Sequence, residues 1–210
     1  GVIHRLYKCG YQVLVLECRK PSAIRRKVSF GEAVFDGIPS VEGVTGRLIE
    51  DVSECQKVWE AGEIPILVDE TGKVIKELRP DALIDAILAK RNLGTTREMA
   101  PLTVALGPGF EAGKDVDFVI ETQRGHNLGR VIEEGTATPN TGIPGVIAGY
   151  GKERVIHSPA AGIMHNRSKI GDIVEKDQII AMVDATPVYA SLTGVLRGII
   201  RDGYEVPKGM

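Results

Sequence analysis

The chain has 210 residues, 43% of them hydrophobic and 26% charged, with a formal net charge of −2: the balance of a globular protein with room for a sizeable core. That balance argues against a nucleic-acid or membrane binder; there is no apolar run of the ~18 residues a spanning helix needs, and no signal peptide is expected. Three cysteines, Cys9, Cys18 and Cys55, show no CxxC or Cys/His spacing. They read as reduced thiols in a cytoplasmic protein, and no metal site is expected.

The sequence opens without methionine, on residues that already have helical spacing: Val2, Ile3, Leu6 and Cys9, with Gly10 as a left-handed stop. Tyr11–Glu17 is a near-continuous apolar run suited to a parallel strand covered on both faces. Helix, glycine, buried strand and acidic end form the second half of a dinucleotide-type βαβ unit, whose first strand and glycine-rich turn would precede Gly1. Glu17 then stands where a carboxylate holds a ribose hydroxyl; the plainer alternative is a polar strand end.

Ser29-Phe-Gly-Glu32 matches a capping box and predicts a short helix ending near Gly37. A second such box, Ser53–Gln56, predicts a helix with Cys55, Val58 and Trp59 on one stripe, closed by Gly62. Ile64–Asp69 reads as a strand, and the Glu70–Gly72 turn leads into Val74–Leu78 as a hairpin arm. Pro80 opens a predicted helix with Leu83, Ile84, Ile87 and Leu88 on one face, ended by Asn92–Gly94. Leu102–Leu106 and Val116–Ile120 are buried strands. Strands alternating with helices predict a Rossmann-like α/β domain with a mainly parallel sheet over residues 1–122.

In such sheets ligands bind at the carboxyl ends of the strands, where Gly107, Gly109 and the Thr122–Arg130 segment fall. The stretch Gly107–Gly145 gathers donors for an anion. Arg124 and Arg130 supply planar forks and His126 a further donor. Gln123, Asn127 and Asn140 add amides, while Gly107 and Gly109 admit close backbone approach. These eight residues are the candidate cofactor-binding set; the plainer alternative is a solvated, turn-rich connection over residues 123–151. His126 near Glu121 is the one acid/base candidate, and no complete catalytic constellation is visible. His4, His157 and His165 read as structural, and Cys18, just after a strand end, is a candidate sulfur-handling thiol, the plainer alternative being a buried small hydrophobe.

From Arg154 the sequence changes character. Ser158–Ile163 and Ala190–Val195 lie 32 residues apart, and Gly171, Val174 and Lys176 match Gly203, Val206 and Lys208 at the same offset. Each copy reads as a glycine turn, a strand and a second glycine turn. Together they predict a small all-β barrel over residues 152–210 built from interlocking halves. Copy one continues into Gln178–Val183 whereas copy two stops at Met210. The chain therefore reads as the middle of a longer protein.

This second region resembles the biotinyl/lipoyl carrier fold, in which Ser-Pro-x-x-Gly and Gly-Asp-x-Val recur in two half-motifs. Carriers place a modified lysine at the turn between halves. Here that turn, Asp184–Val188, contains none, so no covalent biotin or lipoate is expected. The whole chain resembles the YqeB-type accessory proteins of selenium-dependent molybdenum hydroxylase systems. Arg25–Val34, Val41–Val44, Ala105–Phe110 and above all Glu121–Ile132 carry this, with Pro139–Gly142 and Gly194–Gly198 adding to it. The resemblance implies a cytoplasmic maturation factor whose partners are a molybdenum hydroxylase or its cofactor-assembly proteins. A nucleotide or molybdopterin-type ligand is expected for it, no nucleic acid or membrane partner is, and oligomers are compatible with it. Two other classes stay open from the residues: a nucleotide-dependent oxidoreductase or transferase using His126, and a scaffold without ligand.

Overall fold

The computed structural model describes residues 1–142 and 144–210; Ile143, inside the Gly107–Gly145 stretch, lies outside the described residues. The chain is mixed α/β, with several parallel or mixed sheets, few helices and, among the described residues, no closed barrel. It forms two compact units, residues 1–71 with 146–210 and residues 72–145.

Helix α1 (Val2–Lys8) ends as its spacing predicts, with the Cys9 N–H on the Arg5 carbonyl at 3.0 Å and Gly10 at φ +87°. Strand β1 (Val15–Glu17) follows, then a 3-10 turn whose cap, Ser29, accepts from the Gly31 N–H and leads into α2 (Ala33–Asp36). Next come β2 (Ser40–Val41), β3 (Val44–Ile49), α3 (Cys55–Glu60) and β4 (Ile64–Val68). The sheet order is β1-β4-β3-β2, parallel except for β2. The capping box that starts the α3 turn is Asp51 with Glu54, two residues upstream of the predicted Ser53 and Gln56, because a carboxylate at Asp51 reaches the Ser53 N–H at 2.9 Å. Trp59 is half-buried and donates its indole N–H to the Val13 carbonyl. Phe30, Val44, Ile64 and Ile66 form the core of this sheet.

Two predicted elements change type. Val74–Leu78 is a helical turn, α4 (Ile75–Leu78), rather than a hairpin arm, because its apolar residues Ile75 and Leu78 sit three apart and suit a turn of helix. The predicted helix after Pro80 is strand β5 (Ala82–Asp85), and Leu88 and Lys90 adopt φ of +60° and +64°, which no helix accepts. An apolar run this short fits a strand as readily as a helix, and pairing with the next strand decides it. That strand is β6 (Leu102–Leu106), followed by β7 (Glu111–Ala112), β8 (Phe118–Ile120), β9 (Val131–Ile132) and β10 (Gly135–Thr136). The order β5-β6-β8-β9 is parallel up to β8, with β9 antiparallel, and β10 pairs with β7. Asp117 locks β8 to β6 through the buried Thr103, whose N–H and hydroxyl both donate to it at 2.8 Å.

The last part is all β: β11 (Gly162–Asn166), β12 (Ile173–Val174), β13 (Ile179–Val183), β14 (Thr186–Tyr189), β15 (Gly194–Val195) and β16 (Glu205–Val206). The 32-residue repeat is visible in the pairing itself. Gly162 pairs with Val206, and Gly194 with Val174, the same pair with the copies exchanged. The exchange extends to single hydrogen bonds. Met164 and Gly203 are linked by a 2.7 Å bond, Leu196 and Gly171 by one of 2.9 Å, and each strand therefore closes on the other copy's turn.

Within the same unit this β part is tied to the first sheet. Arg201 donates to Asp36 at 2.6 Å and to the buried Glu32 at 3.0 Å, and its guanidinium lies 4.7 Å from the centre of the Phe35 ring. Bonding to Arg201 lowers the Asp36 pKa. Arg201→Ala is expected to cost about 1–3 kcal/mol in urea denaturation, since charged hydrogen bonds are lost and Glu32 stays buried. Arg201→Lys should recover little of it, because a point charge cannot reproduce the fork.

Candidate functional site

The candidate loop is the tip of the β8–β9 hairpin. The ladder continues past the strands, with the Glu121 N–H on the Arg130 carbonyl at 3.0 Å and the Gly129 N–H on the Glu121 carbonyl at 2.8 Å. A tight turn, with the Arg130 N–H on the Asn127 carbonyl, then reverses the chain, and Gly129 at φ +83° permits it. Gly107 closes β6 against this hairpin, donating to the Ile120 carbonyl at 2.8 Å. A side chain there would stand 2.6 Å from the Thr122 hydroxyl.

Glu121 anchors the loop. It is 4% exposed, yet three groups donate to its carboxylate: the Gln123 N–H at 2.7 Å, the Thr138 N–H at 2.8 Å and the Thr138 hydroxyl at 2.6 Å. Burial alone would raise its pKa. The bonds from Thr138, Gln123 and Thr122 outweigh that and hold it down at about 2. Glu121 is thus a fixed anion with its oxygens occupied, a structural brace that cannot donate a proton near neutrality.

Beside it opens a cavity of about 540 Å³ whose walls include Glu121, Asn127, Arg130, Glu133, Glu134 and Thr138. The structure thus brings Asn127 and Arg130 together in one hollow. Gln123, Arg124, His126 and Asn140 are exposed and do not line it, nor do Gly107 and Gly109. Gly145 packs close to the Arg124 stem, and the Asn140 side chain accepts from the Gly142 N–H at 3.3 Å. Glu17 belongs to the other unit, where its carboxylate accepts from the Cys18 N–H at 2.9 Å. Burial first, and the Glu17 carboxylate second, raise the Cys18 pKa, the opposite of what activates a thiolate.

Sequence reasoning missed Glu133, Glu134 and Thr138 as parts of this hollow. Only Thr138 left a trace, lying in the polar run before Asn140; its tie to Glu121, 17 residues away, has no local signal. The wall carries one guanidinium against three carboxylates, so it suits a ligand with both an anionic end and donor groups, rather than a bare anion. Among the described residues no three His, Cys, Asp or Glu are grouped to hold a metal ion, and no helix is long and apolar enough to cross a membrane.

No family model matches the chain, and no solved structure matches it. Over 209 residues it is 51% identical to a protein of Escherichia coli (strain K12) named "Uncharacterized protein YqeB", covering 100% of this chain and 39% of that protein. The chain spans about two fifths of the relative it matches, and it is YqeB-like along its whole length. The YqeB-type assignment read from Glu121–Ile132 and its companion motifs therefore stands.

Proposed function

We propose that this chain is part of a cytoplasmic accessory protein that assists maturation of a selenium-dependent molybdenum hydroxylase. It does so by holding an anionic cofactor, cofactor precursor or nucleotide in the hollow at the β8–β9 loop. The observation that carries the binding step is the cavity of about 540 Å³ whose lining includes Asn127, Arg130, Glu133 and Glu134. Arg130 suits a phosphate, and the two carboxylates suit the N–H groups of a heterocycle, a combination found in a molybdopterin or a nucleotide. The biological step rests on the motif resemblance, and the partners are then the hydroxylase or its cofactor-assembly proteins.

The finer architecture belongs to the same proposal. We read residues 1–122 as Rossmann-like, supported by two separate parallel sets, β1-β4-β3 in one unit and β5-β6-β8 in the other. Residues 123–151 connect it to a biotinyl/lipoyl-like β part over 152–210, supported by the exchanged pairing of its halves. Arg124, His126, Gln123 and Asn140 lie on the exposed loop, and they complete the site if the loop folds over a ligand.

Titration with molybdopterin and with nucleotides at matched salt tests the binding step. Arg130→Ala should weaken binding roughly tenfold to a hundredfold, the loss of one bidentate charged contact. Equal affinity in both proteins would remove Arg130 from the site. A deletion strain whose molybdenum hydroxylase kept full activity would remove the maturation role.

A further inference from the structure

A second hollow, of about 420 Å³, lies in the unit formed by residues 1–71 and 146–210, and nothing in the proposal above uses it. Four cationic side chains, Arg26, Lys27, Arg167 and Lys169, line it against a single carboxylate, Asp202. Asp202 is already engaged, accepting from the Asn166 N–H at 2.6 Å. Arg26 is fixed in place: its Nε donates to the Ile199 carbonyl at 3.0 Å, and its contact with Glu32, at 3.7 Å, is longer than the one Arg201 makes. Among the described residues, Lys27, Arg167 and Lys169 have no ion-pair or hydrogen-bonded side-chain partner. Ser168 sits between the last two at 6% exposure, a hydroxyl-bearing side chain in the cavity wall.

The internal repeat shows that the β fold itself does not require these cations. At the 32-residue offset, Arg167, Ser168 and Lys169 correspond to Ile199, Ile200 and Arg201. In the second copy the two isoleucines are core residues at 6% and 7% exposure, and the arginine is saturated by Asp36 and Glu32. The same place in the same β unit is thus apolar and neutralised in one copy and cationic and unsatisfied in the other. Like charges gathered around a hollow repel one another, and a polyanion relieves that repulsion.

We infer that this hollow is a second binding site, for a small phosphate-bearing anion of two or more charges. Two guanidinium forks and two ammonium groups match the several oxygens of a phosphoanhydride, and the volume suits a small molecule rather than a chain segment. The shared chemistry is a pyrophosphate group, either free or carried by a nucleotide.

Titration of the full chain with inorganic pyrophosphate and ATP, followed by backbone amide shifts, is the test, with citrate at the same ionic strength as the non-phosphate control. Saturable shifts centred on residues 166–170 are expected. The Arg167→Ala/Lys169→Ala double variant should bind at least about tenfold more weakly, and added salt should weaken wild-type binding. Both side chains are exposed, so the variant should keep its unfolding midpoint; if it does not, Lys27→Ala alone provides the comparison. Arg130→Ala should leave this site intact, which separates it from the hollow at the β8–β9 loop. ATP binding more tightly than pyrophosphate would assign a nucleotide, and the reverse a free pyrophosphate. No saturable binding of either, unchanged affinity in the cation variants, or citrate binding as tightly as pyrophosphate would each overturn the inference.

Discussion

Replacing Glu121 by alanine should lower stability by about 3 kcal/mol and loosen the whole segment between β8 and Thr138. The carboxylate is 4% exposed and receives two backbone N–H groups and one hydroxyl, so its removal leaves three part-buried donors without their acceptor and opens a void where the side chain was. Urea denaturation gives the global cost, and hydrogen exchange at Gln123 and Thr138 gives the local one. An effect below about 0.5 kcal/mol, the range of an ordinary surface change, would mean that Glu121 does not organise the loop. The same residue predicts a pH dependence. Its pKa is depressed from 4.5 to about 2, so its contribution is complete above about pH 4.5 and fades as pH falls toward 2. Asp36, Glu63 and Asp117 are also shifted downward, so the readout is the difference between wild type and Glu121→Gln. That difference should shrink across this window; a constant difference would contradict the role assigned to the carboxylate.

Gly109→Ala is the second large effect expected, about 3 kcal/mol or more. Gly109 sits at φ +112°, where a side chain is strained, and its new Cβ would lie 2.5 Å from the Cα of Arg91 and 2.6 Å from its backbone nitrogen. Backbone cannot move aside as the end of a side chain can, so the Arg91 segment must shift. Gly125→Ala separates the two causes. Gly125 has φ +144° but nothing within 4 Å of a new Cβ, so it should show the conformational strain without the collision. Comparable denaturation midpoints for the two variants would show that the approach to Arg91 is unimportant.

How far the sequence could be read followed the range of the forces involved. α1, β4 and β6 were readable because their signals are local: helical spacing ended by Gly10, and apolar runs of strand length. The halves of the C-terminal β part were readable because Gly162 and Gly194 repeat, and their pairing reproduces the repeat residue by residue. The segment after Pro80 was misread because Leu83 and Ile84 suit either a helix or a strand, and the choice lies in pairing with Leu102–Leu106, a partner remote in sequence. In the candidate site, Asn127 and Arg130 were visible as residue types in a glycine-rich loop. The brace that shapes their hollow was not, since Glu121 meets Thr138 across 17 residues with no periodicity to announce it. Glu133 and Glu134 carry no local signal and become wall residues only because β9 turns back along β8.

The exchanged pairing of the two β halves bears on how this part of the chain assembles. Gly162–Ile163 has its antiparallel partner in the second half, and Ile173–Val174 has its partner there too, so neither half completes these ladders alone. A single half could satisfy the same edges only by meeting another copy of itself. Joining the two in one polypeptide turns that encounter into loop closure, at an effective concentration on the order of millimolar. The ordering entropy of both halves must then be met before either ladder is complete. Formation of this part should accordingly be slow for its size and cooperative across the 32-residue offset.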